Sequence, residues 1–496
     1  MVARLRPAVV DTHLSTLFFY GDRVVKVRRP VVQGLADFRS LERRRLSCER
    51  EVALNQPLAS DVYLGTATVT IDGGGPVEHA VVMRRLPKDR NLATMARRGA
   101  TLEAEMKRLA DVLARFHAQA ERSERIDAAA TGRALWQRWQ GVEEALGRFV
   151  GPVVDAARYR ELTALARRYL EGREALFHRR VTEGAVCDGH GSLEATDVFL
   201  LEDGPRILDR LELDEESRYG DVLADVGSLV QDLEMAGARG AADALVAAYR
   251  RRSGREAPPS LLHFYVAQRA HLRLLTQCLR QEEGVRPAAG RTVPTALLVD
   301  QALAHLRAGL PRLVLVGGLP ASGKSTLAAW VAGQLEADVL ATRQGHPSAA
   351  HPAAHPAGRP RSAYERLCEQ AGALLATGRS VVLDAGWSAA ADRGLAAEVA
   401  RRTSAQLVAL HCACPREERA ARIARRSGGQ GVAEAALGPE VVEDPWPEAL
   451  GVDTSSSATG PAEGQPGTTV VPARPSRRSA ARSSGPMAAR PPVAST

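Results

Sequence analysis

Apolar and polar residues alternate with a two-residue period near the start of the chain. The period then becomes helical, and beyond residue 310 the pattern changes to solid apolar runs bounded by glycine. LSTLFFY and RVVKVRR flank Gly21-Asp22 and predict a hairpin over 14–27. An Arg- and Glu-rich helix over about 41–58 precedes two strands, 62–71 and 77–86, joined by Asp72-Gly73-Gly74-Gly75-Pro76. From Leu102 onward, Met106, Leu109, Leu113 and Phe116 fall at helical spacing, and helices are expected to about Phe177. Cys187 to Leu193 reads as a loop, VFLLEDGPRIL as a hairpin ending at Asp209, and 221–282 as helices.

The second half carries the clearest chemistry. Leu313 to Val316 form a buried strand, and Gly318-x-x-x-x-Gly323-Lys324-Ser325 follows it, before an apolar helix with Leu327, Val331 and Leu335. This is the phosphate-loop pattern. Backbone N–H groups must converge on phosphate oxygens, and side chains larger than glycine would obstruct them. The nucleotide-binding set is therefore Gly318, Leu319, Pro320, Ala321, Ser322, Gly323, Lys324, Ser325 and Thr326. Lys324 is expected on the β/γ-phosphates and Ser325 on Mg²⁺, which implies ATP and Mg²⁺ as cofactors. A strand over 337–340, a helix over 362–378 and a strand over 380–387 follow. That last strand carries Asp384, suited to Mg²⁺ or to a base. QLVALHCACP is a further strand, and the helix Arg416–Arg426 carries Arg419, Arg422, Arg425 and Arg426. Arg422 is the candidate for neutralising transition-state charge. Alternating strands and helices imply a parallel sheet covered on both faces.

A small β-rich lobe before a helical lobe is the build of kinase-like phosphotransferases. Residues 13–280 resemble the aminoglycoside-phosphotransferase-like family, and the whole chain resembles bacterial proteins that join such a domain to a P-loop kinase domain. The resemblance lies in GDRVVKVRRPV, DFRSLERRRLSCEREVALN, LARFHA, DGHGSL, ILDRLELDEESRYGDVLADVGSLVQDLE and PEALGVDTS. It implies that Lys26 contacts nucleotide phosphates with Glu51 as partner, and that His190-Gly191 opens the catalytic loop. It also implies that Asp209 binds Mg²⁺ and that Asp221 and Asp225 brace the loop. The family reads His-Gly-Asp-Leu where this chain has Ser192, and a serine hydroxyl cannot act as a carboxylate base. Asp197 occupies the next metal position and can still hold a hard cation. Asp188 is the alternative base. In the P-loop half, Arg343 stands near where related kinases carry an acceptor-orienting aspartate.

The expected fold class combines α+β and α/β: a kinase-like bilobal domain over 1–282, a linker and helix over 283–311, and a P-loop NTPase domain with a parallel sheet over 312–457. Residues 458–496, rich in Ser, Pro, Ala, Gly and Arg, are expected as a disordered tail. Of the net charge of +8, the segment 460–496 contributes +4, from five arginines against Glu463. It lacks aromatics and lysine, so no nucleic-acid partner is expected. His346, His351 and His355 each precede proline and read as loop residues. No apolar run approaches the ~20 residues of a membrane span. The N-terminus shows no secretory h-region and the six cysteines show no CxxC pair, so a cytoplasmic protein with reduced thiols is expected. Two readings result: an ATP-dependent kinase acting on a small-molecule acceptor, or a nucleotide-dependent regulator that has lost its acceptor-activating carboxylates.

Overall fold

The computed structural model describes residues 8–12, 14–33, 36–70, 76–284, 293–342, 362–427, 443–455 and 470–471. The histidine-proline stretch falls outside them, as does Arg343.

The first lobe is a five-stranded antiparallel sheet, ordered Ala8–Asp11, Ser15–Tyr20, Arg23–Arg28, Pro76–Arg84, Tyr63–Thr70. The hairpin turn is made by Gly21, at φ +50°, with Asp22. The edge strand Ala8–Asp11 was not expected; all four residues are exposed, so no apolar alternation marks it. Helix Leu41–Ala59 starts where the Ser40 hydroxyl accepts from the Arg43 N–H at 3.2 Å. It buries Cys48, Val52 and Ala59 against Val62, Tyr63 and Val81 of the sheet.

The second lobe is helical, and its core includes Met106, Leu109 and Leu113 with Trp139 and Phe264. Two short hairpin-like sheets lie against it. Val198–Leu201 pairs with Gly204–Ile207, as expected, and Val186–Asp188 pairs with Tyr219–Asp221. Cys187 and Asp188 are thus strand residues, a correction to the loop reading, which missed a pairing partner some thirty residues away.

The helix expected after the connector is Thr295–Gly309. Its Leu298, Val299, Ala302, Leu303 and Leu306 lie in the core of the helical lobe. These positions form one helical stripe, and the long helix Pro259–Glu282 supplies the surface that covers it.

The sheet of the P-loop domain runs Asp338–Ala341, Val381–Asp384, Arg312–Gly317, Gln406–Ala413, Leu450–Asp453 in parallel. Leu313 and Leu315 face Leu367, Ala371 and Val399, while Val314 and Val316 face Leu327, Ala328 and Val331. Helices cover both faces, which is why the central strand reads as an unbroken apolar run. Helix Ala390–Arg402, unassigned from sequence, supplies part of one layer. Val470–Val471 adds an antiparallel edge to Leu450–Asp453, so the expected tail contributes a short strand, and its remaining residues lie outside the described set. Among the described residues no helix is long and apolar enough to cross a membrane.

The packing of Thr295–Gly309 gives a direct test. Each of Leu298, Val299, Leu303 and Leu306 is worth about 1.5–3 kcal/mol when buried. A fragment ending at residue 284 should therefore be less stable than one ending at 311 by on the order of 5 kcal/mol. Thermal melts followed by circular dichroism measure this, and equal midpoints would show that the helix adds no packing.

Candidate functional site

Strand Arg312–Gly317 delivers the chain to a loop whose backbone only small residues allow. A Cβ on Gly318, at φ +130°, would lie 2.7 Å from the Cys412 carbonyl oxygen, and one on Gly317 would strike the Trp446 ring at 2.5 Å. Ala321 and Gly323 are also left-handed, at φ 61° and 90°, and helix Lys324–Leu335 begins directly afterwards. Lys324 is 7% exposed, and its Nζ donates to the Leu319 carbonyl at 2.9 Å. Burial lowers its pKa, with Asp384 acting in the opposite direction. The ammonium is folded onto its own loop, facing the cradle. In the sheet register Val316 lies beside Asp384, which brings that carboxylate to the mouth of the loop. Ser325 Oγ donates to Asp384 Oδ2 at 2.5 Å. Thr326 is exposed on the next helical position. The buried Ser322 hydroxyl has no partner among the described residues.

Arg422 comes to the same loop from helix Arg416–Ser427. It donates to the Ala321 carbonyl at 3.3 Å and to the Thr454 carbonyl, and its Nε is held by Glu418 at 2.9 Å. Arg425 pairs with Glu418 at 3.1 Å, away from the loop, and Arg419 is buried with Nε unpartnered. The Arg426 side chain lies outside the described residues. Thr454 escaped the sequence reading. Its hydroxyl donates to the Ser322 carbonyl at 2.5 Å, tying the last parallel strand to the loop.

In the N-terminal domain, Lys26 Nζ lies 2.8 Å from Glu51 Oε1 and 2.9 Å from Asp209 Oδ1. Burial lowers the Lys26 pKa, but Asp209 and Glu51 together raise it further, so it stays charged. Glu51 is fully buried because Arg28, absent from the sequence candidates, takes its other oxygen at 2.6 Å. Asp209 adopts φ 64°, a left-handed conformation that side-chain-bearing residues seldom hold without compensation. Its carboxyl is pulled down chiefly by Lys26. Asp197 accepts from the Glu194 N–H at 2.9 Å, and its pKa is pushed well up by burial and then by Glu194 and Asp209. Among the described residues no group of three His, Cys, Asp or Glu side chains is set to hold a metal by itself.

Asp225 braces the loop His190-Gly191-Ser192. Its oxygens accept from the N–H groups of His190 at 2.7 Å and Gly191 at 3.1 Å, and from His117 at 3.1 Å. Asp221 instead forms a bidentate pair with Arg180 at 2.7 and 2.9 Å. The buried His190 ring bonds the Leu208 carbonyl at 3.0 Å, and burial keeps its pKa low, so it acts as a neutral spacer. Asp188 is not available as the substitute base. Arg218 holds it at 2.7 and 3.2 Å and Arg210 at 2.8 Å, so its lone pairs are already engaged.

Residues 313–439 match the family model of an AAA domain. The chain is 35% identical over 461 residues to the uncharacterized protein Rv2004c of Mycobacterium tuberculosis, spanning 90% of this chain and 92% of that protein. The same figures hold for the uncharacterized protein Mb2027c of Mycobacterium bovis. The chain belongs to the family of these mycobacterial proteins. In this chain a two-lobed N-terminal domain, a five-stranded antiparallel sheet set against a helical lobe, is joined to a P-loop domain. Among solved structures, a choline/ethanolamine kinase family protein from Mesorhizobium loti is 16% identical, with TM-score 0.37 over 61% of this chain and 92% of that one. Choline kinase from Cryptosporidium parvum is 10% identical, with TM-score 0.39 over 62% and 89%. Superpositions this loose carry no argument about chemistry.

The brace makes a pH prediction for this family member. Burial pushes the Asp225 pKa up, yet His117, by hydrogen bond and charge, and the bond from the His190 backbone N–H bring it down to about 2, from 3.8. A depressed carboxyl stabilises the fold above its unfolded pKa and loses that contribution as pH falls through the folded value. At ~1.4 kcal/mol per pH unit the contribution is about 2 kcal/mol. Urea titrations from pH 5 to pH 2 should therefore show wild type losing about 2 kcal/mol more than Asp225→Asn. Parallel curves would refute the assignment.

Proposed function

We propose that the protein is a cytoplasmic ATP-dependent phosphotransferase whose P-loop domain carries the chemistry and passes a phosphoryl group to a small-molecule acceptor. The single observation that carries this reading is the 2.5 Å contact between Ser325 and Asp384, with Lys324 beside it. A hydroxyl at the start of a helix and a carboxylate at the end of the neighbouring strand are a fitting donor pair for Mg²⁺. The residues also suit a triphosphate. Gly318 leaves room where a Cβ would fill the cradle, and the buried Ser322 hydroxyl is unpartnered. ATP would supply the phosphoryl group, with Mg²⁺ neutralising its oxygens.

The chain's own residues then divide the work. Backbone N–H groups from Ala321 to Thr326 would receive the phosphates, Pro320 having none, and Lys324 would exchange the Leu319 carbonyl for phosphate oxygens. Arg422 needs to give up only the Ala321 and Thr454 carbonyls to reach charge developing over the loop. In the N-terminal domain Lys26, Asp197 and Asp209 could hold a nucleotide and Mg²⁺, since Mg²⁺ commonly takes one or two carboxylates plus phosphate. With Ser192 in place of the base and Asp188 held by two guanidiniums, that domain is read as a binding lobe with weak transfer at most. The second reading, a nucleotide-dependent regulator, rests on Ser192 and on Arg343, each standing where an acceptor-activating carboxylate would be expected.

Lys324→Ala should lower ATP turnover by a factor on the order of 10² or more. Asp209→Asn should change it little. Turnover measured with and without a metabolite panel checks both, and the reverse pattern would put the active centre in the N-terminal domain.

A further inference from the structure

Beside Ser192 lies a cavity of about 260 Å³ with an unusual lining for a kinase-like acceptor side. Its polar wall includes Ser192, Glu194, Arg269, Arg273, Gln277 and Arg280, with Thr276 between them. The three arginines and Gln277 come from successive turns of one helix, Pro259–Glu282, at spacings of three and four. Helix Thr295–Gly309 closes the side near Leu298.

Two of these donors are buried and unsatisfied. Arg269 is 9% exposed and its Nε has no partner, while Gln277 is 6% exposed and its Nε2 has none. Both groups can only donate, so what is missing is an acceptor. Glu194 is the single carboxylate in the wall, and it is engaged by Arg269 at 2.5 Å. Asp232 stands behind Arg273. Arg280 has no ion-pair partner among the described residues. In the lining itself three guanidiniums meet one carboxylate, with Asp232 behind Arg273 and Asp197 behind Glu194, so the wall is positive. A cationic ligand would meet repulsion here, whereas an oxyanion would satisfy the orphaned donors and balance the charge.

We propose that this cavity is a binding site for a small oxyanion, a phosphate or carboxylate group, held by Arg269, Gln277 and Arg280 next to Ser192. The volume lies just under the ~300–1,000 Å³ of common ligand cavities, so the ligand, or the part of it bound here, is small. An anion in this place sits on the acceptor side of the loop His190-Gly191-Ser192, so the N-terminal domain selects acidic rather than cationic molecules. The inference holds whichever domain performs phosphoryl transfer.

The test uses the full-length chain carrying Lys324→Ala, so that the phosphate loop contributes little to the signal. Calorimetry with inorganic phosphate and, separately, malonate should detect binding of at least one, and which one binds identifies the oxyanion. Arg280→Glu, at an exposed position, and Gln277→Leu should each weaken that binding at least about tenfold. Unchanged melting temperature for Arg280→Glu separates lost binding from lost fold. The proposal is overturned if neither anion binds, or if binding persists unchanged in both variants. It is equally overturned if choline binds instead and is released by Glu194→Gln.

Discussion

Glu51 has no exposure to water, and its carboxylate is shared between Lys26 and Arg28. Each of those cations reaches onward to the other lobe, Lys26 to Asp209 and Arg28 to Glu212. Asn55, one helical turn after Glu51, accepts from the Arg210 N–H at 2.9 Å. The small lobe is thus set against the segment 209–212 by a chain of charges, in addition to apolar contact. Burying such groups is expensive, and removing one partner leaves an uncompensated charge costing roughly 3–5 kcal/mol. The arrangement therefore specifies one relative position of the lobes. It also holds Asp209 in a left-handed backbone conformation, with the carboxylate presented on the cleft side next to Lys26.

The same economy of donors governs how the two domains meet. Arg168 donates to the Ser404 and Ala405 carbonyls at 3.1 and 2.9 Å, and the fully buried Arg173 donates to the Thr403 carbonyl. Ser260 donates to the Gly378 carbonyl at 2.7 Å. These acceptors lie just past the C-terminal ends of helices Ala390–Arg402 and Ala363–Ala376, whose last-turn carbonyls are capped within the P-loop domain itself. The N-terminal domain supplies donors to the carbonyls that follow those caps. A Cβ at Gly172 would come within 3.2 Å of the Arg402 carbonyl oxygen, so the close approach itself calls for glycine.

Local chemistry made much of the molecule legible. The P-loop could be read because its constraints are contiguous: an apolar strand, glycines where a Cβ would collide, and a lysine and serine at the helix start. Lys26 and Glu51 were named through family resemblance, and the structure sets them 2.8 Å apart. Arg28 was passed over because one arginine among many carries no local mark; only Glu51 and Glu212 converging on it distinguish it. The edge strand Ala8–Asp11 and the strand Val186–Asp188 owe their state to partners elsewhere, not to their own alternation.

What the sequence determined by itself is whatever depends on neighbours within a helical turn or a tight loop. That covers the phosphate cradle and the periods of strands and helices. Tertiary structure alone decided matters of distance and of competition for partners. Asp188 looks like a free carboxylate in the chain, yet two guanidiniums engage it. Thr295–Gly309 reads as a helix leading into the P-loop strand, yet its apolar stripe completes the core of the helical lobe. The arginines of Pro259–Glu282 carry no local mark in the chain, until folding buries Arg269 and Gln277 and leaves Arg269 Nε and Gln277 Nε2 without acceptors. Burial removes water as the universal partner, so a polar group's role is set by what else folding brings within reach.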